Sequence, residues 1–365
     1  MPRPFKLFRW LAVLAVAVAA VALVALNRSA EPIPNTRVNP LCANFFLQQE
    51  VEPWKKEQTL QLAQDAGIVW AKQQFAWEEA EPRKGEFNWR KFDELIARFE
   101  QHQLGIIARL DRPPPWTKKD PRFRQGPPDD LGDFGDFVFA FAQRYRGRVR
   151  YVQIWNEPNL WNEWGGQPPN AAQYLELLKV AYARAKQADP TVQVLSAPLA
   201  PTLEESPFAL SELLYLDQLY RLGAKDYFDI LAASAFGQEF GPDDPPQASV
   251  LNFSRLVLQH DIMQKYGDTR KAIWINEYGW NASPSSFPKS SLTWQRVSEE
   301  EQAAYTVRGI QKARAEWPWA GPMCVWYFRQ VGNIPPERPD YYFRMVDTDF
   351  KPRMVYDAIK QYAGK

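Results

Sequence analysis

Val149-Arg150-Tyr151-Val152-Gln153-Ile154-Trp155-Asn156-Glu157-Pro158 is a short apolar run that ends on a carboxylate beside a proline. Its first seven residues, Val149–Trp155, have the length and character of a buried strand, and Gly147 marks the turn before them. A loop, Pro158–Pro169, follows, and then Asn170–Ala188, where Tyr174, Leu177, Leu178, Ala181 and Ala185 recur at three- and four-residue spacing before an Asp189-Pro190 stop. That spacing predicts a helix with one buried face.

The same strand, loop and helix order repeats along the chain. Apolar strand-like runs occur at Leu41–Leu47, Ile68–Phe75, Gly105–Leu110, Val149–Trp155, Val192–Ala197, Asp229–Ala235, Ala272–Glu277 and Met323–Phe328, with helical stretches between them. Strands that never follow one another directly imply a parallel sheet, and eight units imply closure into a (β/α)8 TIM barrel, with an open doubly wound sheet as the alternative. The connections are asymmetric. Helix-to-strand joints are short and marked by Gly67, Gly105, Gly147, Asp189-Pro190, Gly223 and Gly267, whereas Arg112–Pro128, Pro158–Pro169, Gly237–Pro246, Gly279–Trp294 and Gln330–Pro339 are long and rich in Pro and Trp. In a barrel those long loops all lie at the C-terminal ends of the strands, where such folds carry chemistry.

The chain of 365 residues divides into three parts: 1–30, 31–40 and 41–365. In the first, Arg3, Lys6 and Arg9 precede an uncharged apolar run, Trp10–Leu26, of 17 residues. As a helix this run spans about 25 Å, near the lower limit for crossing a bilayer. Arg28 would occupy the −3 position for cleavage after Ala30, so an uncleaved membrane anchor through residues 10–26 is expected, with cleaved secretion as the alternative. Either way the basic flank stays in the cytoplasm and the remainder faces outward, at the cell surface or secreted. Residues 31–40 contain three prolines and read as an extended linker. The last part, 41–365, is expected to be one catalytic domain and a monomer.

With 44 basic and 43 acidic side chains, the net charge is +1, which leaves no field to gather nucleic acid or an acidic polymer and points to a neutral substrate. Cys42, Cys324, His102 and His260 provide no metal-ligand spacing, and no glycine-rich phosphate loop is present, so no metal or cofactor is expected. Cys42 and Cys324 fall on the first and last strands, which are neighbours in a closed barrel. Two buried thiols are expected, with a disulfide as the alternative in an oxidising exterior.

Two strands end on a glutamate at the loop-rich face: Ile154-Trp155-Asn156-Glu157-Pro158 on the fourth and Ile273-Trp274-Ile275-Asn276-Glu277-Tyr278-Gly279 on the seventh. Cleavage of a glycosidic bond passes through an oxocarbenium-like state, and it needs one acid for the leaving oxygen and a second carboxylate opposite the anomeric carbon. Glu157 and Glu277 can supply both.

These two motifs, in this order, resemble the clan A (β/α)8 glycoside hydrolases, with most likeness to family 39 and family 5 members. Trp77 to Gly85 with Glu81-Pro82, then Phe87, Trp89 and Phe92, and Pro113-Pro114-Pro115-Trp116, are similar to segments of family 39 proteins. The resemblance implies Glu157 as acid/base, Glu277 as nucleophile, Asn156 as donor to the sugar 2-OH and Trp326 as floor of the −1 subsite. It implies a covalent glycosyl-enzyme with carboxyls about 5–5.5 Å apart; a gap above about 6.5 Å would contradict retention. Two positions depart from the clan pattern. Lys72 stands where an Arg is common on strand two, and Ser234-Ala235-Phe236 stands where a Tyr is usual on strand six, so Tyr278 becomes a candidate for that tyrosine's role. Trp116, Trp161, Trp164, Trp280 and Trp294 lie on the long loops and can stack on pyranose faces. The substrate-binding set is therefore Asn156, Trp326, Tyr278, Trp116, Phe236 and Trp280. A glycan-binding barrel without catalysis and an envelope transglycosylase are the alternative functions.

Overall fold

Eight strands, each followed by a helix, make the structure, a computed structural model that describes residues 31–120, 126–332 and 335–365. The strands are β1 Leu41–Phe45, β2 Trp70–Ala76, β3 Gly105–Asp111, β4 Tyr151–Ile154, β5 Gln193–Leu195, β6 Leu231–Phe236, β7 Ile273–Gly279 and β8 Ala320–Val325. The helices that follow them are α1 Pro53–Asp65, α2 Arg90–Gln101, α3 Leu131–Arg144, α4 Ala171–Ala188, α5 Glu212–Arg221, α6 Leu256–Lys265, α7 Glu299–Glu316 and α8 Met354–Tyr362.

All ladders are parallel, in the order β5-β4-β3-β2-β1-β8-β7-β6. The ends of that order meet through a single parallel bridge, Leu195 to Ile230, where Asp229 N donates to Val194 O (2.8 Å). The barrel is thus joined all round, most thinly between β5 and β6, and the open-sheet alternative is excluded.

Helix α4 starts where the sequence predicts, with Asn170 as N-cap accepting from Gln173 N, and it buries Tyr174, Leu177, Leu178, Ala181 and Ala185. Strand β8 differs: it begins at Ala320, three residues before the expected Met323, and ends at Val325. Gly321-Pro322 reads as punctuation in sequence, yet Pro322 lies inside the strand. Lacking an N–H, it coincides with the irregular β7–β8 register between Ile273 and Ile275.

Trp70, Tyr151 and Trp274 close the lower end of the barrel with ring centroids 4.4–5.5 Å apart. Gly321 permits this, because a Cβ there would stand 2.2 Å from the Trp274 ring. Residues 34–40, read from sequence as linker, belong to the same compact unit, Pro34–Lys365. Asn35 O accepts from Trp274 Nε1 (2.9 Å) and Asn39 O from Trp70 Nε1 (3.1 Å), so this segment packs against the floor.

One expectation is corrected. Cys42 and Cys324 are register partners across β1 and β8, with Cα atoms 4.1 Å apart, and they form a disulfide instead of two buried thiols. The basic stub and apolar helix expected at 1–30 lie outside the described residues; among those described, no helix is long and apolar enough to cross a membrane.

Candidate active site

Two residues above the floor, strand alternation turns polar side chains into the barrel. Trp70 is followed by Lys72, Tyr151 by Gln153 and Trp274 by Asn276, all buried. Asn276 Nδ2 donates to Gln153 Oε1 across the barrel (2.6 Å), Gln153 Nε2 donates to Trp155 O (2.7 Å), and Asn44 Nδ2 donates to Asn276 O (3.0 Å). This network fixes the ends of β4 and β7 relative to each other.

Strict alternation would turn Glu277 outward if Asn276 faces in. The β6–β7 register instead shifts between Ala233 and Ser234, pairing Ala233 with Ile275 and Ser234 with Glu277, so Asn276 is an extra residue on β7. This bulge lets Asn276 and Glu277 both face the interior. Lys72 Nζ donates to Glu277 Oε1 at 2.6 Å, with side chains only 3% and 5% exposed. Burial drives the Lys72 ammonium below its ordinary pKa, while the Glu277 carboxylate opposes that shift.

Glu157 lies just beyond β4 with φ 41°, two residues after Trp155 at φ 72°. Both occupy the left-handed region, which costs non-glycine residues about 1–3 kcal/mol each and is characteristic of functional turns. Glu157 N donates to Pro198 O (3.0 Å), tying this turn to the end of β5. Burial first, then the Glu277 and Glu163 carboxylates, push the Glu157 carboxyl well above its ordinary value, against Lys72 and Arg109. The arrangement favours the protonated form of one carboxyl and pairs the other with a cation, the division of labour that acid-assisted nucleophilic chemistry needs.

The predicted residues separate into two groups. Glu157 and Glu277 face each other closely enough to interact electrostatically, and Asn156 stands beside Glu157 with its Oδ1 3.5 Å from Gln153 Nε2. Trp326, half-buried just after β8, receives Phe46 edge-on (5.6 Å) and packs on a cluster of Phe236, Tyr327 and Phe343, which Trp294 also joins. The Trp326-Tyr327 peptide is cis.

Tyr278 and Trp280 are corrections to the expected substrate-binding set. Beyond the bulge Tyr278 faces the helices: it is fully buried against Phe253, and its hydroxyl is 3.4 Å from Thr306 O of α7. Trp280, also buried, donates from Nε1 to Phe240 O (2.7 Å) and lies so close to Gly237 that a Cβ there would stand 1.9 Å from it. Trp116 is half-buried over the loop after β2, donating to Glu81 O (3.0 Å) and meeting Trp77 edge-on. Trp164 is core, packed edge-on against Trp155.

Sequence reasoning named Lys72 only as a departure and gave no role to Gln153, Asn276 or Arg109. The available signal was polarity within otherwise apolar strands, since a charge inside a strand covered on both faces requires a partner. Among the described residues, no group of three or more His, Cys, Asp or Glu is placed to hold a metal ion.

A family model described as glycoside hydrolase 42 β-galactosidase matches residues 46–122. No curated protein matches the chain by sequence. Many solved structures share its architecture. A family 39 glycoside hydrolase from Bacteroides cellulosilyticus WH2 has TM-score 0.68 and 17% identity over 89% of this chain and 63% of its own. A monomeric β-xylosidase from Caulobacter crescentus CB15 has TM-score 0.66 and 16% identity over 92% of this chain and 70% of its own. A GH39 enzyme from Xanthomonas axonopodis pv. citri has TM-score 0.68 and 15% identity over 93% and 68%. The chain thus spans just under two thirds of the length of the first of these. It shares the (β/α)8 barrel of family 39 glycoside hydrolases.

Proposed function

We propose that this chain is a retaining glycoside hydrolase acting on neutral β-linked sugars, with Glu157 as acid/base and Glu277 as nucleophile. The observation that carries the reading is the contrast between the two glutamates' surroundings: burial and neighbouring carboxylates raise the Glu157 pKa, while Lys72 pairs with Glu277 at 2.6 Å. In the first step the Glu157 carboxyl gives its proton to the glycosidic oxygen as the C1–O bond breaks. A Glu277 oxygen attacks C1 from the opposite face, forming an ester. In the second, Glu157 as carboxylate takes a proton from water, whose oxygen attacks C1 and releases Glu277. Retention requires the carboxyls about 5–5.5 Å apart. Asn156 beside the acid supports a contact to the sugar 2-OH, and half-buried Trp326 supports a stacking floor.

The Cys42–Cys324 disulfide supports an oxidising compartment outside the cytoplasm, in keeping with an export segment at residues 10–26. The test is turnover of aryl β-xyloside, galactoside, glucoside and mannoside by the wild type and Glu277→Ala, with intact mass after exposure to the matching 2-fluoro glycosides. The expected result is an adduct on Glu277 in the wild type and loss of turnover in the variant. Absence of both turnover and adduct on every sugar would favour a barrel that binds glycans without cleaving them.

A further inference from the structure

The loop after β4 carries more than Glu157. Trp161 is 42% exposed and Phe208, on the loop after β5, is 64% exposed, whereas Trp77, Trp164, Trp274 and Trp280 are fully buried. The two exposed rings form a pair, with centroids 6.2 Å apart and planes at 67°. They are displayed from fixed backbone. Trp161 N donates to Phe208 O (2.8 Å), Leu160 bridges Ala209, and Asn159 Nδ2 donates to Ala200 O (2.8 Å) and Leu210 O (2.9 Å).

The residues that follow Trp161 open onto a cavity of about 120 Å³ lined by Arg109, Asp111, Arg112, Trp155, Asn162 and Glu163. A single water needs about 10–15 Å³ of such space, so the cavity admits a group with several hydroxyls. Its charges balance: two arginines face two carboxylates, with Arg109 Nε 2.5 Å from Asp111 Oδ2 and its Nη2 3.8 Å from Glu163 Oε2. A neutral polyol finds donors and acceptors there, while a uronate would meet as many carboxylates as cations. The cavity lies beside the turn that carries Glu157, since Trp155, two residues before that glutamate, lines it together with Asn162 and Glu163 of the same loop.

The geometry points to a second sugar subsite on the β4 and β5 loops, which takes the next pyranose unit of a neutral oligosaccharide. Its hydroxyls enter the cavity of Arg109, Asn162 and Glu163, and its apolar face lies on the Trp161–Phe208 pair. This inference rests on the glycosidase reading and narrows its substrate from simple glycosides to chains of two or more units.

The test is calorimetric binding of β-1,4-linked xylo-, cello-, manno- and galacto-oligosaccharides of one to four units to the full chain slowed by Glu157→Gln. At least one series should bind more tightly with length, by about tenfold between one unit and four, as aromatic stacking of one added ring allows. Trp161→Ala with Phe208→Ala should reduce that gain to less than about twofold, and Trp161→Phe should keep most of it. Affinity that does not rise with length in any series, or a gain that survives the double alanine variant, would overturn the subsite. The 2-fluoro adduct separates the two ideas. An adduct without a length gain leaves the glycosidase standing and removes the subsite; a length gain without any adduct leaves a sugar-binding face and removes the hydrolase.

Discussion

At the scale of single residues, the environment of Glu157 sets how the site responds to pH. Its folded pKa is raised well above the ordinary 4.5, so the protonated form needed for acid catalysis persists below the folded value and is lost as pH rises through it. The stability linkage has the same sign: the stabilisation is fully present below the ordinary value and disappears as pH climbs through the folded one. Removing the Glu277 charge should lower the Glu157 pKa, read by carboxyl-carbon NMR titration of Glu277→Gln against wild type; an unchanged value would mean that burial alone sets it. Glu157→Gln should reduce kcat/KM by about 10²–10⁴-fold on glycosides with poor leaving groups, and by much less when the leaving group needs no proton.

Lys72 makes a second residue-scale prediction. Because both partners are buried, Lys72→Met leaves Glu277 without a counter-charge and should cost about 3–5 kcal/mol in stability or force the carboxyl to protonate. Lys72→Arg should keep most of kcat/KM and of the melting temperature. If Lys72→Met unfolds at the wild-type temperature with unchanged kcat/KM, the ion pair has no such role. The glutamates themselves were legible because strands that end on an acid at a loop-rich face are visible in the chain. Their cation was not, since Lys72 and Glu277 are 205 residues apart and meet only across the barrel.

At the scale of elements, β7 shows where period-two reasoning fails. The alternation of Trp274, Ile275 and Asn276 is correct as far as the bulge, after which Glu277 turns inward and Tyr278 outward. A one-residue shift of this kind reverses every later position: Tyr278, a candidate because strand six lacks the usual tyrosine, faces the helices and is core. Helices were easier, because caps and stops are local. α7 begins with a capping box in which Ser298 Oγ accepts from Glu301 N (3.1 Å) and Glu301 Oε2 accepts from Ser298 N (2.8 Å). Ser298→Ala should therefore cost about 1 kcal/mol, seen as a lower midpoint in urea with unchanged slope. A midpoint that does not move would show that tertiary packing against α8, not the cap, holds the start of α7.

At the scale of the whole molecule, closure is the decisive property. The first and last strands are joined by hydrogen bonds and by Cys42–Cys324, which spans 282 residues of chain. Cross-linking so long a loop restricts the unfolded ensemble, so reduction or Cys324→Ala should lower stability by about 2–5 kcal/mol. Thiol titration in denaturant should find none before reduction and two after; two thiols in the unreduced protein would contradict the bridge.

The order of strands and helices, the loop-rich face and the two glutamates that end on it were determined by the sequence alone. They depend on periodicity and turn chemistry within a few residues. The tertiary structure alone decided the disulfide, the Lys72–Glu277 pair and the sorting of tryptophans into core, site and exposed face. Each depends on the register between strands far apart in the chain, and that register is set by how eight strands close on one another.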